Sequence, residues 1–523
     1  SPLSPPIQND PSAELATATW TTACSGNATD WAEVCEDGTN MTFHVPAGAS
    51  SAVVLASLAG VAHSLVDVAT ELRLAIDGGT KYVGLASFRC PSTTSCAPPL
   101  LHGVVTKLVE GEHTAALQYK TGDGTAYFLG NGTAGMAVWR LSVQTLHADE
   151  IVAATWSSSV SGSAVDWAAV PGSAMSVSRE LSGGESDSDG AGSLLVLANL
   201  PAVRTSAVDE SVQFRIVVNG QPVGVANIGG CPANVCPTVS FHGVAKNLTQ
   251  GPVPEVAVSV QYRAPAGGTV YFGQPAPGSS SAPRQLTTVA SAVKELTSTR
   301  WNQTMSGTST DWAALPTTMD ITFGVPDVTS PVCPTPCASA VLVLASLSRV
   351  QSDTAGTTVE LQLLVDGAQV AFWQGSDLTG SAYAAPTLHG VVDLGHGNHT
   401  AEVRYRLPDG GTVQFPDSTL DGEQYRRLTA LTNRADHYND TTKFDHCWSV
   451  AGGSWPVTIA LHGASQSADA RLYLGASADG TFADLWSVAG QDRQWQIEES
   501  GSQLYISTNV NQSRVYLSAS SDG

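Results

Sequence analysis

Residues 71–78 read Glu-Leu-Arg-Leu-Ala-Ile-Asp-Gly. Leu72, Leu74 and Ile76 occupy every second position, the period of a strand that buries one face. The Asp-Gly that follows is the sequence signal for a tight hairpin, because its turn needs two residues of positive φ. The same sentence is spoken twice more. Residues 212–220 read Val-Gln-Phe-Arg-Ile-Val-Val-Asn-Gly, and residues 360–367 read Glu-Leu-Gln-Leu-Leu-Val-Asp-Gly.

Around these strands the chain repeats itself. Tryptophans with ten residues between them recur as Trp20/Trp31, Trp156/Trp167 and Trp301/Trp312, and the second follows Asp30, Asp166 or Asp311. Their first members lie 136 and 145 residues apart, so the unit is a domain rather than a solenoid turn. Apolar runs at 54–58, 195–200 and 342–347 precede each hairpin, and a His-Gly follows it at His102, His242 and His389. A further strand through Tyr119, Tyr262 or Tyr405 leads to closing segments that start at Arg140, Arg284 and Arg427. Alternation with frequent turns predicts three antiparallel β-sandwiches, at 14–147, 148–292 and 293–438, after an extended Pro-rich arm at 1–13. The Trp pairs are expected to pack in the cores, the Asp residues to cap turns, and the histidines to sit partly buried at strand ends.

The run Gly111-Glu-His-Thr-Ala-Ala-Leu-Gln-Tyr, with Gly397-Asn-His-Thr-Ala-Glu-Val-Arg-Tyr, resembles the penultimate hairpin of TNF-like jelly-roll domains. The closing Arg-x-Leu-Thr segment fits that resemblance; an Ig-like sandwich is the alternative. Residues 439–523 differ. Arg471-Leu-Tyr-Leu-Gly-Ala-Ser is echoed by Arg514-Val-Tyr-Leu-Ser-Ala-Ser, and Asp484-Leu-Trp and Gln494-Trp intervene. This rhythm resembles part of a β-trefoil of the ricin or fascin type, which implies carbohydrate as a partner. The echo stops at Gly523 and Cys447 has no nearby mate, so the natural chain is expected to continue or another chain to complete this domain.

Composition narrows the function. The 523 residues carry 46 acidic and 24 basic side chains, a net charge of -22, and no basic stripe, which argues against nucleic acid as a partner. The most apolar stretch, 51–69, is broken by Ser57, His63, Ser64 and Asp67, so no membrane insertion is expected. The chain starts at Ser1, as if a leader had been removed.

Eight cysteines form close pairs, Cys24/Cys35, Cys90/Cys96, Cys231/Cys236 and Cys333/Cys337, with spacings suited to local disulfides in an oxidising compartment; zinc is the rival reading. Of 15 asparagines, eight lie in glycosylation sequons, against about three expected by chance: Asn27, Asn40, Asn131, Asn247, Asn302, Asn398, Asn439 and Asn511. The only cofactors implied are N-linked glycans. The acidic run Glu185-Ser-Asp-Ser-Asp-Gly has part of a calcium-loop spacing but reads as a solvated turn.

No nucleophile elbow, zinc-protease or phosphate-loop motif occurs, and chemistry-bearing residues recur in every copy as fold-building residues do. The expectation is an extracellular protein that is not an enzyme. It would be a structural subunit of a fibril, flagellar hair or cell coat, similar to secreted glycoproteins of algae and other protists. Its partners would be copies of itself, joined by donation of the N-terminal arm. A glycan-binding adhesin is the alternative, and a secreted glycoside hydrolase stands third.

Overall fold

In the computed structural model the chain divides into two compact units, 1–433 and 434–523. The described residues are 7–8, 15–21, 23–35, 40–46, 49–66, 68–90, 100–128, 139–147, 151–178, 191–201, 203–207, 210–229, 238–249, 255–273, 284–292, 296–315, 319–325, 339–376, 378–379, 382–415 and 426–432, with strands at 471–475, 482–486, 495–500, 503–510 and 513–519.

The first unit contains three similar all-β sandwiches. Among the described residues, eight principal strands build the first: β1 (Leu15–Trp20), β2 (Asn40–Val45), β3 (Ala49–Leu58), β4 (Ala69–Ile76), β5 (Lys81–Arg89), β6 (Leu101–Thr106), β7 (Gly111–Thr121) and β8 (Trp139–His147). The second has β9 (Ile151–Trp156), β10 (Met175–Ser178), β11 (Ala191–Leu200), β12 (Val212–Val218), β13 (Gln221–Ile228), β14 (Val239–Thr249), β15 (Glu255–Arg263) and β16 (Arg284–Ala292). The third has β17 (Leu296–Trp301), β18 (Asp320–Val325), β19 (Ser339–Ser346), β20 (Thr358–Val365), β21 (Ala368–Ser376), β22 (Thr387–Leu394), β23 (Gly397–Arg406) and β24 (Arg426–Thr432).

In the first repeat an inner sheet ordered β1-β8-β3-β6 faces an outer sheet in which β7 pairs with β2 and β4, and β4 with β5. The other two repeats copy this order. First strand beside last, and second beside seventh, is the double-Greek-key arrangement of a jelly roll. A small third sheet closes each repeat; in the first it joins Cys24–Gly26, Ala126–Phe128 and Val61–His63. In the second unit, β25 (Arg471–Gly475) pairs antiparallel with β26 (Phe482–Trp486), and β27 (Trp495–Ser500), β28 (Gln503–Val510) and β29 (Ser513–Ala519) form an antiparallel meander.

The hairpin reading of 71–78 holds at each copy. Leu72, Leu74 and Ile76 are buried in the first core, while Arg73 faces outward. Asp77, Asn219 and Asp366 have φ of 51°, 48° and 47°, and the glycines after them are positive too. Their side chains also tie the turn to the neighbouring strand β7, β15 or β23 of the sheet: Thr114 N, Ala257 N and Thr400 N donate to Asp77, Asn219 and Asp366.

The apolar runs do not alternate, and the packing explains why. In β3, Val54, Ala56 and Leu58 enter the repeat's own core, whereas Val53 and Leu55 enter a fourth cluster. Leu195 and Leu197 of β11, and Leu342 and Leu344 of β19, join that same cluster. Inner-sheet strands are therefore buried on both faces, which calls for a continuous run instead of a period of two. The fourth cluster draws on all three repeats.

The repeats consequently do not lie like beads. The β5–β6 edge of repeat one docks on repeat two, where Ser87 N donates to Thr238 Oγ1 at 2.8 Å and Asn199 Nδ2 to Leu85 O at 3.1 Å. Repeat two docks on repeat three, with Asn227 N donating to Ser348 O at 2.9 Å. Repeat three docks back on repeat one, with Gln374 N donating to Ala59 O at 2.9 Å. Three heterologous contacts of one kind close into a ring.

The glycine after each histidine permits a close crossing between the sheets. A Cβ on Gly103 would lie 2.6 Å from Gly84 N and 2.8 Å from Val83 C, and one on Gly243 would lie 2.8 Å from Val223 O. These are backbone atoms that cannot rotate away. Gly103→Ala and Gly243→Ala are expected to cost about 2–3 kcal/mol each in urea unfolding. Gly390→Ala should cost about the same, since its Cβ would lie 2.8 Å from Val370 Cβ, which is fixed to the backbone, and 3.0 Å from the Val370 carbonyl oxygen. A negligible penalty at any of the three would contradict this account.

Candidate functional site: the seams between repeats and the outward faces

The three histidines are not partly buried strand-end residues. They are 0–1 % exposed and stand on the inner-sheet strands that meet at the seams. His242 Nδ1 lies 2.6 Å from Ser346 Oγ and its Nε2 3.0 Å from Thr429 Oγ1, both in repeat three. His389 Nε2 lies 3.3 Å from Ser142 Oγ of repeat one, whose Arg140 also donates to Val391 O at 2.8 Å. Gln285 of repeat two, with its amide turned to satisfy both contacts, bridges His102 O and Val104 N.

Burial pushes the imidazole of His102 down to about 3. Burial does the same to His242 and His389, helped by the charges of Arg427 and Arg140. Arg140 is itself pulled down to about 10 by burial. All three imidazoles are thus neutral; those of His242 and His389 reach into the neighbouring repeat, whereas at His102 the contact runs through the backbone carbonyl. Recurrence in the sequence pointed to architecture; the seam was invisible because it depends on contacts 100 to 250 residues apart.

The tryptophans divide in two. Trp20 is 4 % exposed and stacks on Trp139 with centroids 4.4 Å apart, while Trp156 and Trp301 are half-buried. Trp31, Trp167 and Trp312 are not core residues but half-buried platforms on the outer sheets. Arg73 covers Trp31 at 4.1 Å and Tyr82 at 3.6 Å; Arg215 and Arg263 lie 4.3 and 4.6 Å from the Trp167 centroid; Arg406 lies 4.7 Å from that of Trp312. Hence Trp31→Ala is expected to cost about 1–2 kcal/mol, the scale of a cation–π contact with some packing, and not the 3–5 kcal/mol of a core aromatic. Chemical denaturation of this variant beside Trp20→Ala checks the ranking. The aspartates before these tryptophans are exposed, and at 309–311 the turn is held by Ser309 Oγ donating to the Asp311 carbonyl.

Cys24 and Cys35 form a disulfide with Cα atoms 5.7 Å apart. Cys90 is also disulfide-bonded. Cys96, Cys231, Cys236, Cys333, Cys337 and Cys447 lie outside the described residues. Asn27, Asn40, Asn302 and Asn398 are all exposed. Asn131, Asn439, Asn511, the side chain of Asn247 and the acidic run from Glu185 lie outside the described residues. Among the described residues, no three His, Cys, Asp or Glu side chains gather as a metal site, and no helix is long and apolar enough to cross a membrane.

The arm expected at 1–13 is described at residues 7–8. Ile7 and Gln8 pair antiparallel with Thr19 and Ala18, adding a strand outside β1. Among the described residues, the equivalent strands β9 and β17 end their sheets. Ala18 is wholly buried, its counterpart Ala154 half-buried, and Thr299 exposed.

No family model matches the chain, and no curated protein matches it. Among solved structures, the insecticidal delta-endotoxin Cry8Ea1 of Bacillus thuringiensis is 7% identical, covering 71% of this chain and 54% of its own, at a TM-score of 0.14. The chain thus spans about half the length of that toxin. A triple jelly-roll turret protein of an archaeal virus is 9% identical over 78% of this chain and 90% of its own, with a TM-score of 0.15. PNGF-II is 8% identical over 74% and 98%, with a TM-score of 0.20. At such scores the likeness supports no conclusion about this chain.

Proposed function

We propose that the protein is a structural subunit of an extracellular glycoprotein assembly, a fibril, appendage or coat built from copies of itself, in which TNF-like jelly rolls serve as architecture. The observation that carries this reading is how the recurring polar side chains are used. His242, His389 and Arg140 bind one repeat to the next, and Arg73, Arg215 and Arg406 cover tryptophans. Four outward-facing sequon asparagines and the Cys24–Cys35 disulfide suit a secreted protein.

The segment at residues 7–8 supplies the link between copies. It occupies the edge of β1 with two residue pairs, a shallow hold that another copy's segment can replace at little cost. Exchange of arms also shields an edge that would otherwise invite unspecific pairing.

Electron microscopy of the native material tests the reading directly: filaments or sheets are expected. Deleting residues 1–13 leaves β1 intact and should abolish assembly while preserving a folded, monodisperse protein. Assembly of the truncated chain into the same polymer would remove the arm from the account. A glycoprotein mass unchanged by deglycosylation would remove the extracellular setting.

A further inference from the structure

At the seam between repeats two and three a cleft of about 360 Å³ opens. Among the described residues that line it, Val218, Pro222 and Leu248 are apolar, and the charged ones are Lys246, Arg300 and Arg427. That is unusual for a chain with 46 acidic against 24 basic residues.

The internal repetition provides a control. Lys246 on β14 corresponds to Thr106 on β6 and Asp393 on β22, counted from the histidine. Arg427 on β24 corresponds to Arg140 on β8 and to Gln285 on β16. Arg300 on β17 corresponds to Thr19 on β1 and Thr155 on β9, counted from the tryptophan. The three seams therefore carry Lys/Arg/Arg, Asp/Arg/Thr and Thr/Gln/Thr at the same places. One fold position has become triply cationic in one seam, so packing alone does not require the charge.

The group is also held in place. Arg427 donates to Ser298 Oγ at 2.8 Å, Ser298 Oγ lies 2.9 Å from Thr429 Oγ1, and that oxygen lies 3.0 Å from His242 Nε2. Arg427 is 7 % exposed, while Lys246 and Arg300 reach solvent at the mouth. Partial burial, and secondarily the nearby charge of Arg427, lowers the affinity of Lys246 for its proton.

We propose that this cleft binds a small organic oxyanion, a molecule carrying a sulfate or carboxylate group on a body about the size of one or two sugar rings. Arg427 and Arg300 would hold the anionic oxygens, for which the guanidinium fork is suited, and Lys246 would add a point charge. The apolar wall from Val218, Pro222 and Leu248 takes the uncharged part. A volume near the lower end of ligand clefts fits a small molecule better than a bare ion.

Titration calorimetry of the full chain with a sulfated disaccharide, its unsulfated parent, a uronic disaccharide and sodium sulfate tests the site. Binding of the sulfated or uronic disaccharide is expected, weakening as ionic strength rises, with the neutral parent at least about tenfold poorer. Preference between the two acidic disaccharides identifies the anion. Lys246→Ala with Arg300→Ala should reduce affinity by roughly tenfold or more without lowering the melting temperature. Lys107→Ala, outside the cleft, should leave it unchanged. The proposal falls if no acidic disaccharide binds, if only sodium sulfate does, or if the double variant binds like the unaltered protein.

Discussion

Acidification from pH 7.5 to pH 5 is expected to remove roughly 6 kcal/mol of folding stability from the body formed by residues 1–433. His102, His242 and His389 have folded values of about 3, set first by burial, against an ordinary value of 6.5. Below 6.5 the unfolded chain takes up protons that the folded chain refuses. The histidines' contribution is therefore complete above pH 6.5 and is lost as pH falls from 6.5 towards 3. Each forfeits about 1.4 kcal/mol per pH unit in that window, or about 2 kcal/mol by pH 5.

Other groups act differently. Asp353 is held below the usual carboxylate range by hydrogen bonds from Thr354 and Thr412, so its contribution fades only at lower pH. His399 is shifted up, because Asp366 and the Gly395 carbonyl outweigh its partial burial. Its contribution is present below 6.5 and lost as pH rises, which opposes the main trend; because its partner Asp366 is exposed, the pair acts weakly. Guanidinium midpoints at pH 7.5, 6 and 5 measure the sum. His242→Gln should remove about a third of the slope. A midpoint that stays fixed from pH 7.5 to 5 would show that the imidazoles are not held neutral by the seams.

How legible all this was depends on the range of the interaction concerned. The Asp-Gly and Asn-Gly hairpins were plain, because the demand for positive φ at Asp77, Asn219 and Asp366 is local. So was the outer sheet, whose Leu72/Arg73/Leu74 alternation reports one buried face. The choice of jelly roll over Ig-like sandwich rested on β1 pairing with β8 across more than a hundred residues, which no local pattern encodes. The ring left a trace in Val53–Val54–Leu55–Ala56, a run too apolar for a strand with one wet face, yet it could not say what covers the second face. Trp31 misled for a related reason. A tryptophan repeated at fixed spacing resembles a core residue, but its cover is the stem and guanidinium of Arg73, and a long cationic side chain shields an aromatic ring as well as a leucine does. The basic cleft needed three strands from two repeats before its charges became neighbours.

That second covered face yields the other large effect. Leu344 is fully buried in the cluster drawn from all three repeats, whereas Leu361 is fully buried in the core of repeat three alone. Either change to alanine deletes three carbons from a packed site and should cost about 3–4 kcal/mol. The two should differ in where the cost is felt. A cavity behind β19 loosens a surface on which β3 and β11 also rest, so Leu344→Ala should speed amide exchange in all three inner sheets. Leu361→Ala leaves that surface filled and should speed exchange chiefly in β20, β21 and β23, its neighbours in the outer sheet. For the same reason Leu344→Ala combined with Leu55→Ala should be non-additive if the cavities merge, while Leu361→Ala with Leu72→Ala, in separate cores, should add. If exchange in Leu344→Ala rises only within repeat three, the ring is three domains that touch. If it rises in all three repeats, the ring is one folding unit, and the contacts at His102, His242 and His389 are then internal joints of a single body.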